Sequence, residues 1–179
     1  MIAALLVGCG GADGAGDSGS PLARAAGTLV AMDGWTPGDV AVAADPYAPD
    51  RPVGADCPPS GYTVEGSSFE VNTGSCTWAW FQQPAAVDLI PGDVVEIVFW
   101  HSVLVADGPA TGHLALSVGD APLFEATVDI PHDPAAYTEV VEVPFTSDPG
   151  DVVTLHLHNH GANTWNLLRV ERQATGTVE

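Results

Sequence analysis

A chain of 179 residues with 46% hydrophobic content holds enough apolar material for one domain with a real core, and its 23 acidic residues against four arginines and no lysine give a formal charge of −19. That balance excludes nucleic acid as a partner, because displacing counterions from a phosphate backbone needs a cation cluster that no window supplies, and it excludes direct adhesion to anionic lipid for the same reason. The acidic surface reads as solubility through self-repulsion, with attraction of divalent cations as the alternative.

In chain order, the first element is the apolar run Ile2 to Val7. It is far shorter than the ~20 residues that span a bilayer and reads as the end of a signal peptide over residues 1–8, with an earlier start codon implied by the missing basic residues. Cys9 closes the run. The segment Leu6-Val7-Gly8-Cys9 resembles the bacterial lipobox, which implies that Cys9 is acylated, becomes the mature N-terminus and anchors the protein to a membrane. Gly10 to Ser20 is nearly all Gly, Ala, Asp and Ser and is expected to act with Cys9 as a flexible tether over residues 9–26.

From Gly27 onward, short Val/Ile/Leu/Phe/Thr runs alternate with Pro, Gly, Asn and Asp, the signature of an all-β domain over residues 27–172, followed by a disordered tail over 173–179. Pro37-Gly38-Asp39, Pro91-Gly92-Asp93 and Pro149-Gly150-Asp151 each precede a valine-rich segment. Proline presets the second position of a type II turn and glycine takes the positive φ of the third, so each triplet is expected to launch a strand.

Strand alternation then yields five apolar rows: Val95, Ile97 and Phe99; Leu114, Leu116 and Val118; Phe124, Val128 and Ile130; Val141, Val143 and Phe145; Val153, Leu155 and Leu157. Gly119-Asp120 suits a tight hairpin turn, and His160 to Asn163 a longer hairpin joining the last two strands. The expected fold is a two-sheet antiparallel β-sandwich. Cys57 and Cys76 are expected to pair in an oxidising compartment, closing a loop of about 20 residues worth ~3 kcal/mol.

The stretch from Gly150 to Val170, with a strand ending in Asn159 and a following Trp165-x-Leu167-x-x-Val170, resembles the closing strands of galactose-binding-like jelly rolls. Together with Thr73-Gly74-Ser75-Cys76 and Asn159-His160-Gly161-Ala162-Asn163-Thr164-Trp165 it also resembles bacterial lipoproteins, a likeness that implies location more than activity. Sugar binding follows from the first resemblance only as a class-level expectation.

His156, His158 and His160 alternate with Leu155, Leu157 and Asn159, so a regular strand sends all three imidazoles to its outer face. Two of them, His156 and His158, stand ~6.7 Å apart and could meet on one Zn or Cu ion, with His113, His101, His132 or a carboxylate completing the set. By the same parity Trp165 is expected beside the histidines, and with Asn163 and Asn166 it would form a sugar-stacking surface. Trp78 and Trp80 share a face on their own strand; there, loops such as Asp45 to Ser60 would either leave them open or cover them as a second small core.

No nucleophile elbow, phosphate loop, His-Glu-x-x-His or dinucleotide fingerprint occurs, and no carboxylate pair stands out, so no catalytic residue is named. The sequence thus reads as a non-catalytic, lipid-anchored envelope protein, at the outer membrane or cell surface. Its sandwich is expected to bind carbohydrate or a surface partner, the alternative being a Zn or Cu protein built on His156 and His158.

Overall fold

The computed structural model describes residues 23–39 and 41–176. Cys9 and the lipobox-like segment, most of the tether and residues 177–179 lie outside the described residues. Among the described residues eleven strands make the fold: β1 (Gly27–Thr28), β2 (Thr36–Pro37), β3 (Tyr62–Glu65), β4 (Ser68–Asn72), β5 (Ala79–Pro84), β6 (Val94–His101), β7 (Ala110–Val118), β8 (Ala121–Ile130), β9 (Ala135–Glu142), β10 (Val152–Asn159) and β11 (Thr164–Arg172).

The strands form two antiparallel sheets. The first runs β3-β4-β11-β6-β9, with β1 on the far half of β11, and the second runs β2-β5-β10-β7-β8. Stripped of the short β1 to β3, the orders 4-11-6-9 and 5-10-7-8 are those of a jelly roll, eight strands wound as two Greek keys. The expected all-β sandwich is thus the observed one.

The apolar rows meet between the sheets. Val95, Ile97 and Phe99 face Leu114, Leu116, Val153, Leu155 and Leu157, all buried, and Val128, Ile130 and Val143 close the same core. Phe124, Val141 and Phe145 are only partly buried at its margin. Cys57 and Cys76 form a disulfide across 19 residues of sequence.

Two of the three Pro-Gly-Asp triplets behave as expected: Gly92 and Gly150 have φ of 89° and 99° and open β6 and β10. The third departs. Gly38 lacks the positive φ and, among the described residues, no long strand follows it directly; a Cβ there would collide with the Trp80 indole, so close approach rather than turn geometry requires glycine at this position.

The segment His160 to Asn163 is not a hairpin. Because β10 and β11 belong to opposite sheets, it arches across the end of the sandwich.

The structured body also reaches beyond residues 27 and 172. Arg24 and Thr175 exchange backbone hydrogen bonds of 3.0 Å each way, and Gln173 N–H donates to Val94 O at 2.7 Å. Arg24 bridges Asp88 (2.8 Å) and Asp93 (3.2 Å). Arg172 donates to the Asp88 carboxylate (2.9 Å) and its carbonyl (2.7 Å). Half of the protein's arginines therefore tie its first described residues to its last strand. The Arg172 hydrogen bond, helped by the nearby Arg24 charge, holds the Asp88 carboxyl below the ordinary carboxylate range.

Candidate functional site

The outer face of the second sheet carries the histidine row. Register places His156 between Trp80 of β5 and Ala115 of β7, and His158 opposite His113. Trp78 sits at the entrance of β5 beside both imidazoles, 4.6 Å from the His156 ring and 5.1 Å from that of His158. His113 adds a third ring 5.4 Å from His156 and bonds Glu125 of β8 at 2.6 Å.

Over this face lies the segment between β2 and β3. Tyr47 stacks on His156 at 4.5 Å, and the Asp45 carboxylate accepts from Trp78 Nε1–H at 2.7 Å and from the Tyr47 N–H at 2.9 Å. Enclosed by these rings, His156 is 1% exposed, and neither of its ring nitrogens has a hydrogen-bond partner.

Removal from water therefore pushes its pKa down to about 3, and the neighbouring His113 and His158 push the same way. Asp45 Oδ1 lies 4.0 Å from His156 Nδ1 and by its charge favours the cation. Its carboxylate already holds two N–H donors, so desolvation prevails and the ring stays neutral. His158, half-buried and beside His160, is shifted in the same direction, first by desolvation.

The row then leaves the cover. His160 is exposed, its ring 4.7 Å from that of His158, and lines an open cleft of about 1090 Å³ with Val105, Asp107, Thr111, Asp129 and Ala162. Thr111 and Asp129 are a cross-strand pair on the same outer face, so the cleft continues the sheet surface beyond the loop.

Its two walls are held from inside. Asn163 accepts the Val105 N–H at 2.7 Å and donates to Val105 O at 3.4 Å, taking the place of a neighbouring strand. The Thr73 hydroxyl lies 3.0 Å from the carbonyls of Gly161 and Asn163 and accepts from Asn159 Nδ2 at 3.0 Å.

Several expected site residues are elsewhere. Trp165 is buried in the core against His101 (4.9 Å), donating Nε1–H to Asn159 at 3.3 Å; the arch before β11 inverts the parity that a hairpin would have preserved. Asn163 is a buried clamp. Asn166 faces outward, but on the first sheet, where it accepts from Ser68 Oγ at 3.2 Å. Of the expected sugar surface, His156 is caged, His158 is half-buried and only His160 is open.

The metal pair fares likewise. An imidazole bound at about 2 Å has its centre roughly 3 Å from the ion, so two ligands lie at most ~6 Å apart. The His156 and His158 centres are 6.4 Å apart, and among the described residues no three His, Cys, Asp or Glu side chains are grouped to hold an ion. His101 and His132, offered as further ligands, pair with each other at 5.1 Å on the far side of the core. There His101 donates from Nδ1 to Ser102 O and accepts from Tyr137 at Nε2.

No family model matches the chain, and no curated protein matches it. Among solved structures it is similar to a CBM4 structure (21% identity, 65% of this chain and 76% of the other, TM-score 0.41). A second is the C-terminal CBM6 of LamC from Zobellia galactanivorans (14%, 63% and 88%, TM-score 0.41). A third is the N-terminal cellulose-binding domain of β-1,4-glucanase C from Cellulomonas fimi (14%, 72% and 99%, TM-score 0.38). At these scores the similarities bear on neither ligand nor site, which rest on the geometry above.

Asp45 and Tyr47 belong to the loop that the sequence offered as a cover for Trp78, although neither was singled out. Asp107, Thr111 and Asp129 were not expected as site residues, and strand parity from Leu114 and Ile130 puts Thr111 and Asp129 on the outer face.

Proposed function

We propose that this protein is a lipid-anchored, non-catalytic envelope protein that binds carbohydrate along the outer face of the second sheet and in the cleft that continues it. The observation that carries the ligand class is a coincidence on one face. More than half of the buried side-chain N and O atoms without partners among the described residues lie here: Trp80 Nε1, Gln82 Nε2, both nitrogens of His156, and His158 Nε2.

Buried polar atoms without partners are rare and ask for an explanation, and here they accompany the indoles of Trp78 and Trp80. A sugar offers what such a face lacks, hydroxyls that donate and accept around a ring whose C–H face stacks on an indole. In the cleft, the Asp107 and Asp129 carboxylates are acceptors for sugar hydroxyls, and Val105 and Ala162 are apolar floor.

The anchor rests on Cys9 at the end of an apolar run, followed by a Gly/Asp/Ser tether. Calorimetric titration with soluble oligosaccharides tests the ligand, with Asp129→Ala expected to weaken binding at least about tenfold, the loss of one or two charge-assisted hydrogen bonds, and His160→Ala by about three- to tenfold, the loss of a hydrogen bond. Absence of heat with every oligosaccharide overturns the reading. Fatty-acid labelling of intact cells tests the anchor, with label expected on the natural protein and lost in Cys9→Ser; protease shaving of the same cells reports which side of the envelope carries the domain.

A further inference from the structure

The segment over the histidine row is attached at its ends and almost nowhere between. At one end Gly38 N–H donates to Trp80 O (2.8 Å) and Asp39 N–H to Gln82 Oε1 (2.9 Å). At the other, Asp56 and Thr77 exchange hydrogen bonds and Cys57 is bonded to Cys76. Among the described residues between these anchors, one hydrogen bond joins the segment to the sheet, Asp45 to Trp78; the others close local turns such as Ala48 N–H to Asp45 O and Asp50 N–H to Tyr47 O.

Burial agrees. In residues 41–55 only Asp45 is buried, and Val42 and Val53 point their apolar side chains into solvent. None of these residues belongs to the hydrophobic core. A surface segment with so few buried contacts and so few bonds to the body belongs to the parts of a protein that open at low cost.

What it covers is not a finished core. Beneath Tyr47 lie the unpartnered nitrogens of His156, next to Trp78, and the row leads from there through His158 to His160 in the open cleft, with ring spacings of 6.4 and 4.7 Å. Tyr47 contributes a flat ring to the stack and no hydrogen bond to His156. A sugar ring in its place would keep the stacking and add the missing partners.

We infer that residues 41–55 are a displaceable cover in which Tyr47 occupies, in cis, a ring-binding subsite on His156 and Trp78 that extends the open cleft. This rests on the carbohydrate reading. A ligand confined to the cleft leaves the cover in place, whereas a longer chain must displace Tyr47. Its apparent affinity is reduced by the fraction of molecules that are open.

The test compares disaccharides with hexasaccharides of gluco-, xylo- and galacto-type on the natural protein, Tyr47→Ala and Asp45→Asn. If the cover is open about a tenth of the time, both variants bind the hexasaccharide about tenfold tighter than the natural protein. Disaccharide affinity stays unchanged. In the natural protein, amide exchange across 41–55 accelerates when hexasaccharide binds. Hexasaccharide binding that is equal or weaker in both variants, with exchange of 41–55 unaltered by ligand, overturns the cover while the cleft site stands. If no oligosaccharide binds any of the three proteins, the carbohydrate reading fails and the subsite with it.

Discussion

Acid should destabilise this protein through His156 well before its carboxylates are involved. In the unfolded chain the imidazole takes up a proton near its ordinary value of 6.5, whereas in the cage it does so only at about 3. Between those values the unfolded state holds a proton that the folded state refuses. Stability is therefore complete above the unfolded value and falls with pH until the folded value is reached.

The slope is about 1.4 kcal/mol per pH unit while the cover stays closed, so the loss is ~3 kcal/mol by about pH 4.5 for a closed cage and is capped at about 1.4 kcal/mol if the cover is open a tenth of the time, because the ring then takes its proton in the open form. For a chain of this size that range lowers Tm by roughly 3–12 °C. His101 and His158, also displaced downward by burial, add to the slope with the same sign.

His156→Phe isolates the caged ring, because it keeps an aromatic ring under Tyr47, removes both unpartnered nitrogens and cannot titrate. Thermal unfolding of the two proteins from neutral to mildly acid pH should give a shallower dependence for the variant, by about one proton. Parallel curves, or a His156 ring that NMR shows protonating near its ordinary value, would refute the cage.

Other outcomes follow from the same geometry. Gly161→Ala places a Cβ against the Val105 carbonyl at a φ of 109°, and is expected to cost about 3 kcal/mol or more and to disorder the cleft walls, read by chemical denaturation. Asp88→Asn should remove a component of acid unfolding below about pH 4, since the depressed carboxyl contributes stability that is lost as pH falls through its folded value. The same variant should speed amide exchange near Arg24. Reduction of Cys57–Cys76 should cost ~3 kcal/mol, with faster exchange concentrated in the cover that the bond anchors. Titration with zinc or copper should engage no site that includes His156, whose ring cannot reach an ion shared with His158; a stoichiometric ion bound through both would contradict the cage.

The amino-acid sequence alone determined the class of fold and much of its interior. Alternation is a local property of an extended chain, so Val95, Ile97 and Phe99, or Val153, Leu155 and Leu157, could be assigned to one face without knowing the neighbouring strand. Proline and glycine fixed two turns for the same reason, and the outward parity of His156, His158 and His160 was legible too.

Tertiary structure decided which sheet each strand joined and what lay above its outer face. Those depend on contacts far apart in sequence, as Tyr47 on His156 and Asn163 on Val105 show. That is why Trp165, placed beside the histidines by a hairpin that is really an arch, lies in the core. It is also why an outward imidazole is 1% exposed: parity assigns a side chain to a face, and only the rest of the chain determines whether that face meets water.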